Sequence, residues 1–216
     1  MKKILIILLL SLISQSCSSV PREIKRKFGL CYTGKDTDIE SYIDINGYYT
    51  SSGQSGTIFF KDGIFANYVY LNPEIHASDT CVNFVRVTNR SDNNKPRIDA
   101  PGLHKGMYWI EGDTIKVRYL SHIGIIISGI SFDEVWYKII DRQTLEAIYY
   151  KSLLDINASY EEWRPKPNKE RILYRFHCTD SVSTSDNWLK KEKWFWCNEQ
   201  DWKDYMEKIK QKKKKK

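Results

Sequence analysis

Residues 106–121, GMYWIEGDTIKVRYLS, decide the fold class of this chain. Aromatic and β-branched residues recur on both sides of Glu111-Gly112-Asp113, which has the composition of a tight turn. Runs of such residues bounded by turn residues are typical of strands, and two runs joined by a short glycine-containing turn indicate an antiparallel hairpin. The stretch therefore predicts two neighbouring strands of an antiparallel sheet.

The same pattern recurs along the chain on either side of this hairpin. Strand-like runs flank Lys61-Asp62-Gly63 and Asp141-Arg142-Gln143, and residues 171–178 read as a last strand. Eight or nine short strands result, with no helical run between them, which argues against a parallel sheet. A meander of this length closes into a barrel or folds into a sandwich to remove its edges. We expect residues 41–178 to form a mainly β, antiparallel up-and-down barrel.

Four stretches within residues 41–178 carry a resemblance to a known family: INGYY, TIFFKDGIF, YWIEGDTIKVRY and WYKIIDRQTLEAI. With them, this part of the chain resembles the lipocalin-like barrel lipoproteins of Bacteroidetes cell envelopes. Gly47-Tyr48-Tyr49 stands where lipocalins carry Gly-x-Trp. Most members of this group are uncharacterised, so the resemblance implies a fold more than an activity.

The first residues predict export and attachment to a membrane. Residues 1–16 combine two lysines, an apolar run of about ten residues and small residues before Cys17, as in a signal peptide. A cysteine at that place resembles the lipobox of bacterial lipoproteins, so we expect a diacylglyceryl anchor on Cys17. Ser18 is not the Asp that retains some lipoproteins on the inner membrane, which favours the outer membrane. The alternative is ordinary cleavage that leaves Cys17 as a free or disulfide-bonded thiol.

The positive charge is confined to the two ends of the chain. The formal net charge is +7, but Lys2, Lys3 and the seven lysines from Lys208 onward contribute nine, so the rest sums to −2. A nucleic-acid-binding protein carries its basic residues on a folded face. We therefore expect no nucleic-acid partner.

The last residues predict a helix followed by a charged tail. In a C-terminal segment spanning 179–211, Asn198 is placed as an N-cap for an amphipathic helix over about residues 199–210. We expect its apolar stripe to pack against the barrel wall, and the lysine tail 212–216 to be extended. At the other end, residues 17–40 read as a polar lead-in. The stripe consists of Trp202, Tyr205, Met206 and Ile209.

Four cysteines remain if Cys17 carries lipid, and an even number outside the cytoplasm predicts two disulfides. The end of the last strand of a barrel lies beside the start of the first, which favours Cys31–Cys178 together with Cys81–Cys197. The pairing Cys178–Cys197 with Cys31–Cys81 is nearly as well supported. Reduced, buried thiols are the third alternative.

Eight aromatic residues in the predicted strands are candidates for lining a ligand pocket inside the barrel. The expected ligand is a small apolar molecule or a sugar, and an ordinary aromatic core is the alternative. A filled barrel would instead favour a surface-interaction component of an envelope assembly with a protein partner. The eight candidates are Tyr48, Tyr68, Tyr70, Tyr108, Trp109, Tyr119, Trp136 and Tyr137.

No motif in the chain indicates catalysis, a metal or a cofactor. Residues 36–40 alternate carboxylates like a calcium loop but lack the glycine and the final acid of an EF-hand. The four histidines share no metal-ligand spacing, and Asp133 and Glu134, being adjacent on a strand, should face opposite sides of the sheet. We therefore assign no catalytic residue, metal ligand or cofactor, and an envelope hydrolase is the weakest alternative.

Overall fold

The computed structural model describes residues 20, 22–51, 55–69, 103–123, 129–153, 160–163, 171–178 and 185–214. Within these ranges nine strands form one antiparallel sheet. The strands are β1 (Gly47–Thr50), β2 (Ser55–Phe59), β3 (Ile64–Val69), β4 (Leu103–Glu111), β5 (Thr114–Ile123), β6 (Gly129–Asp141), β7 (Thr144–Leu153), β8 (Tyr160–Trp163) and β9 (Leu173–Cys178).

Eight of these strands close into a barrel, as the sequence predicts. Strands β1 to β7 pair in chain order, β7 pairs with β9, and β9 pairs with β1 to complete the ring. The remaining strand, β8, is not part of the ring. It pairs with the same edge of β7 as β9 does, but further along β7, where Tyr150 is opposite Trp163. The barrel thus has no open edge along its ring, which removes the hazard of unpaired strands.

Tight turns close one end of the barrel. Lys61-Asp62-Gly63, Gly112-Asp113 and Arg142-Gln143 each reverse the chain there, and Gly63 adopts a positive φ of 84° that disfavours other residues. Residues 39–45 cover the same end, because Ile39 and Ile43 are fully buried in the barrel interior. We call residues 39–45 the plug. It lies before β1, so the predicted strand from Ser41 begins later, at Gly47.

Alternating side chains divide the barrel strands between two cores. Inward residues such as Tyr49, Phe59 and Val117 form the inner core together with the plug. Outward residues such as Tyr48 and Ile58 form an outer core. The period of two along each strand produces this division.

The outer core is covered by the two terminal segments, which we call the terminal layer: residues 20–32 and 185–197. Helix α1 (Arg22–Phe28) buries Ile24 and Phe28, and two 3-10 turns at Trp188–Lys191 and Lys193–Phe195 bury Leu189 and Phe195. Residues 17–40, which read as a polar lead-in, thus contain a short helix whose buried residues Ile24 and Phe28 lie on one face.

A buried ion pair fixes the terminal layer to the turn between β2 and β3. Lys190, whose side chain is 4% exposed, lies 2.7 Å from Asp62. The Tyr32 hydroxyl and the Ser185 hydroxyl also donate to the same Asp62 carboxylate, each at 2.7 Å. One carboxylate thereby joins both terminal segments to the barrel.

Helix α2 (Glu199–Lys214) follows the terminal layer and is longer than predicted. Asn198 caps it, since its Oδ1 accepts the backbone N–H of Gln200 at 2.8 Å. The first three residues of the predicted extended tail, Lys212–Lys214, belong to the helix. No helix in the described part of the chain is both long and apolar enough to cross a membrane.

The disulfide pairing differs from both predicted pairings. Cys31 is bonded to Cys197, across 166 residues of sequence. Both predicted pairings gave these two cysteines other partners, and the first of them, Cys31–Cys178 with Cys81–Cys197, assumed that the cysteines follow the closure of the barrel. The bond instead joins the two halves of the terminal layer. Cys178 is also disulfide-bonded, while Cys81 and Cys17 lie outside the described residues.

Candidate ligand site in the barrel

The half of the barrel next to the plug is filled by aromatic rings. Phe59 lies at its centre, with four other rings at centroid distances of 5.4–6.2 Å in edge or T-shaped contact. Contacts of this kind are favourable in protein cores. The plug closes the end of this half, so the apolar surface of these rings is used in internal packing. The four rings belong to Tyr49, Phe65, Tyr108 and Tyr137.

Two of the hydroxyl groups in this half are bound to backbone oxygens. Tyr49 donates to the carbonyl oxygen of Arg142 at 2.7 Å, and Tyr108 donates to that of Phe60 at 2.6 Å. Burial is the main cause that raises the pKa of both phenols above the usual value. Both groups are neutral donors that tie the plug and the turns to the core.

The opposite half of the barrel interior is polar. Asn67 on β3 lies opposite His104 on β4, and Tyr119 on β5 lies opposite Asp133 on β6. Each of these positions continues the inward alternation of the filled half. We call this set the polar cluster: Asn67, His104, Tyr119, Asp133 and Tyr150.

Contacts within the polar cluster fix its geometry. His104 stacks on Tyr119 with ring centroids 5.5 Å apart, and the Tyr150 hydroxyl donates to Asp133 at 3.2 Å. Asp133 is 4% exposed, which is rare for a carboxylate. Burial also raises the pKa of Tyr119 well above the usual value, so its phenol stays protonated. Hydroxyls, an amide, an imidazole and a carboxylate therefore converge on one interior volume.

Asn67 leaves one acceptor unused. Its Oδ1 is buried and accepts no hydrogen bond within the described part of the chain. A buried polar atom without a partner costs about 1–3 kcal/mol, so native proteins keep few of them. An atom of this kind in a polar interior indicates a place for a hydrogen-bond donor that the described residues do not supply.

A close approach between β4 and β5 positions Tyr119 in this cluster. A Cβ at Gly106 would lie 1.9 Å from the carbonyl oxygen of Arg118 and 2.5 Å from Cα of Tyr119. Only glycine fits at this position. The space that glycine leaves on the inner face is taken by the Tyr119 side chain, which stands opposite it.

The eight aromatic candidates divide among the two faces of the sheet. Tyr108, Tyr119 and Tyr137 point inward, and of these Tyr119 belongs to the polar cluster. Three others lie on the outer face, away from the barrel interior: Tyr48, Trp109 and Trp136. Each immediately precedes or follows an inward residue, so strand alternation turns it outward. The side chains of the remaining two, Tyr68 and Tyr70, lie outside the described residues.

The outward tryptophans take part in a row of cation–π contacts. Register places Trp109, Lys116, Trp136 and Tyr149 side by side across four strands. The Lys116 ammonium lies 4.4 Å from the Trp136 ring, and the Arg118 guanidinium lies 5.1 Å from the Trp109 ring. One face of each indole is therefore covered by a cation rather than open to a ligand.

The polar cluster was not identified from the sequence as a site. One relevant prediction is confirmed: Asp133 faces inward, while the adjacent Glu134 faces outward and binds Arg118 at 2.7 Å. Carrying that alternation across the strands would have placed Asn67 and His104 inside as well. Within the described ranges, no group of three or more histidine, cysteine, aspartate or glutamate side chains is placed to hold a metal ion.

A concave region lies outside the barrel at the plug end. It has a volume of about 550 Å³ and is open to solvent. Arg142 spans it by pairing with Asp44 at 2.8 Å and donating to the carbonyl oxygen of Glu40. This pairing attaches the plug to the turn between β6 and β7. The lining residues are Asp44, Asp141, Arg142, Gln143, Thr144, Arg175 and Phe176.

The closed ring of eight antiparallel strands fits a lipocalin-like fold. Comparison with known proteins found no matching family model, no matching curated protein and no matching solved structure. A functional assignment for this protein therefore rests on the geometry of its own chain.

Proposed function

We propose that this protein is a lipid-anchored, outer-membrane protein of the Bacteroidetes cell-envelope type whose barrel binds a small polar ligand. The anchor is a diacylglyceryl group on Cys17, supported by the signal-like residues before it. The site is the polar cluster, and the ligand class is a sugar or a similar polyhydroxylated molecule. The buried, unpaired Oδ1 of Asn67 is the observation that carries the choice of site.

A polar ligand fits better than an apolar one. The apolar residues of the inner core pack on one another and on the plug, which leaves little surface for a second apolar molecule. The polar cluster offers both donors and acceptors to hydroxyl groups. Ligand pockets typically combine aromatic walls with a few such groups that fix orientation.

Binding without catalysis is the function we assign to this cluster. Glycoside hydrolysis requires two carboxylates that face one bond. Asp133 faces the interior, but Glu134 lies on the other face of the sheet and is held by Arg118. Asp133 is also engaged by the Tyr150 hydroxyl, which suits an acceptor that orients a ligand.

A second candidate function is a scaffolding component that binds an envelope protein through its surface. The filled half of the barrel favours it, because a barrel packed with its own side chains needs no ligand. The two candidates differ in what they expect of the polar cluster. A scaffold would use it only for folding.

The test is a nuclear magnetic resonance titration of the chain produced from Ser18, which contains every described residue. A panel of monosaccharides, disaccharides and sugar acids is added to ¹⁵N-labelled protein. We expect at least one compound to shift the amide signals of Asn67, His104 and Asp133, while signals of the plug stay in place.

Two variants identify the site in this titration. Asp133→Asn should weaken binding at least tenfold, because a hydrogen bond to a charged group contributes about 1.5–3 kcal/mol. Tyr108→Phe, which removes a hydroxyl in the filled half, should leave the affinity unchanged. If no compound of the panel moves the cluster signals, the scaffolding function is favoured.

A further inference from the structure

Helix α2 presents a largely exposed surface. None of its 16 residues is buried. Its first half contacts the terminal layer, since the Trp202 indole donates to the carbonyl oxygen of Lys191 at 3.0 Å and Tyr205 lies 5.3 Å from Trp196. The four residues of the apolar stripe are partly exposed, and two of them, Met206 and Ile209, extend beyond these contacts.

The second half of α2 carries a concentrated positive charge. Within the described residues, none of its five lysines forms an ion pair or a hydrogen bond through its side chain. Two more lysines follow them directly in the sequence. No acidic residue occurs after Glu207, so neighbours in sequence do not offset this charge. The five are Lys208, Lys210, Lys212, Lys213 and Lys214.

The helical repeat places these lysines around the apolar stripe. At 3.6 residues per turn, Lys208 and Lys212 lie along one side of the stripe and Lys210 along the other. Asp204 and Glu207 lie on the opposite face of the helix. A helix with an apolar face bordered by lysines is typical of elements that lie in the plane of a membrane surface.

The terminal layer brings helix α1 and the start of α2 close together. The Cys31–Cys197 bond holds the two segments with Cα atoms 4.8 Å apart, three residues after α1 and two residues before α2. Helix α1 adds four basic residues, of which Arg22 and Arg26 are exposed. Cys17 precedes Arg22 by five residues, which span at most about 18 Å.

We infer that α2 binds an anionic lipid surface through its lysines and its apolar stripe, and so holds the terminal layer against the membrane. The claim that the terminal layer faces the membrane rests on the proposed anchor at Cys17. The claim that α2 binds an anionic surface does not. Anionic headgroups supply the negative charge that these lysines do not meet among the described residues. The acyl anchor would keep the helix close to that surface and raise its effective concentration there.

The test measures binding to phosphatidylcholine vesicles with and without phosphatidylglycerol. It uses the chain produced from Ser18 with the disulfide intact, so that acylation plays no part. We expect binding to the anionic vesicles alone, weakening steeply as salt rises from about 0.1 M to about 1 M, where the Debye length falls from ~10 Å to ~3 Å.

Three variants separate charge from structure. Replacing all seven lysines from Lys208 to Lys216 by glutamine keeps helix propensity and should weaken binding by at least about tenfold. Replacing them by arginine keeps the charge and should preserve binding. Ile209→Ser should weaken binding at fixed charge if the stripe inserts.

Two results would overturn the inference. One is equal binding of the wild-type and glutamine proteins to anionic vesicles at low salt. The other is binding to a DNA duplex without binding to anionic vesicles, which would assign the lysines to a different partner. Either result would leave the anchor and the polar cluster unaffected, since neither takes part in the measurement.

Discussion

Adjacent residues on a barrel strand serve opposite faces, and this determines which of them contribute to a site. Tyr108 joins the inner core, whereas Trp109 binds Glu111 and Arg118 on the outer face. Asp133 and Glu134 divide in the same way. Residue type alone does not separate such pairs, so the eight aromatic candidates include residues on the inner face and residues on the outer face.

Asp62 shows how one residue holds three segments together. Burial raises the pKa of its carboxyl, but the hydrogen bond and charge of Lys190 outweigh that effect, with help from Ser185 and Tyr32, and the pKa lies below the usual value. Asp62→Asn would leave the Lys190 ammonium buried without a counter-charge. Breaking a buried pair in this way costs about 3–5 kcal/mol. We expect a loss near the lower value in urea denaturation, since Asp62 is the more exposed partner.

The pH dependence of the same experiment has a definite sign. A carboxyl whose pKa is lowered on folding contributes stability above its unfolded pKa of about 3.9 and loses it as the pH falls through the folded value. The stability difference between wild type and Asp62→Asn should therefore shrink in acid. Asp113→Asn is the control, because Asp113 and Lys138 form an exposed pair 3.9 Å apart. Equal effects of the two substitutions would contradict the role of Asp62.

At the scale of elements, strands were predictable and short terminal elements were not. Each hairpin has its own turn and alternation, so local sequence specifies it. Helix α1 has seven residues and the 3-10 turns have three or four, which is too short for a periodic signal. Long-range contacts hold them: Tyr32 pairs with Trp196, and Phe28 packs between Trp194 and Phe195.

The disulfide pairing was hard to predict for the same reason, because it depends on the terminal segments and not on the strands. Closure of the barrel did not determine the partner of Cys31, because that residue belongs to the terminal layer rather than to a strand. With Cys31–Cys197 in place and Cys17 acylated, Cys81 is the remaining partner for Cys178. Non-reducing peptide mapping should find both bonds. A Cys178 peptide linked to Cys17 would contradict the anchor as well as the pairing.

At the scale of the whole molecule, alternation and turn spacing predicted the closed barrel, and they did so because each strand pairs with its neighbour in sequence over most of the ring. The filled half and the polar half were not predictable. Their distinction depends on register across four or more strands, which joins residues as distant as Thr57 and Tyr137. The plug was not predictable either, because the sequence from Ser41 resembles the start of a strand.

The proposed attachment of the whole molecule to a membrane is tested by one labelling experiment. Cells grown with a fatty-acid analogue should yield labelled wild-type protein and unlabelled Cys17→Ser protein, because the thiol is the acceptor. The wild-type protein should also fractionate with the outer membrane. Equal labelling of both proteins, or of neither, would contradict the anchor.

The central claim is that the polar cluster is retained for binding rather than for folding. It is tested most directly by the free energy of unfolding of Asn67→Leu. Thr57→Val is the matched control, since Thr57 lies opposite Asn67 on β2, is 1% exposed, and forms a hydrogen bond with Tyr137.

We expect Thr57→Val to lose about 1 kcal/mol, because it breaks a hydrogen bond that folding uses. Asn67→Leu should be as stable as wild type or up to about 2 kcal/mol more stable, because it removes a buried acceptor that has no partner among the described residues. It should also lose the ligand-induced shifts. A loss of more than about 1 kcal/mol for Asn67→Leu would show that its amide serves the fold, and would contradict a binding role for the polar cluster.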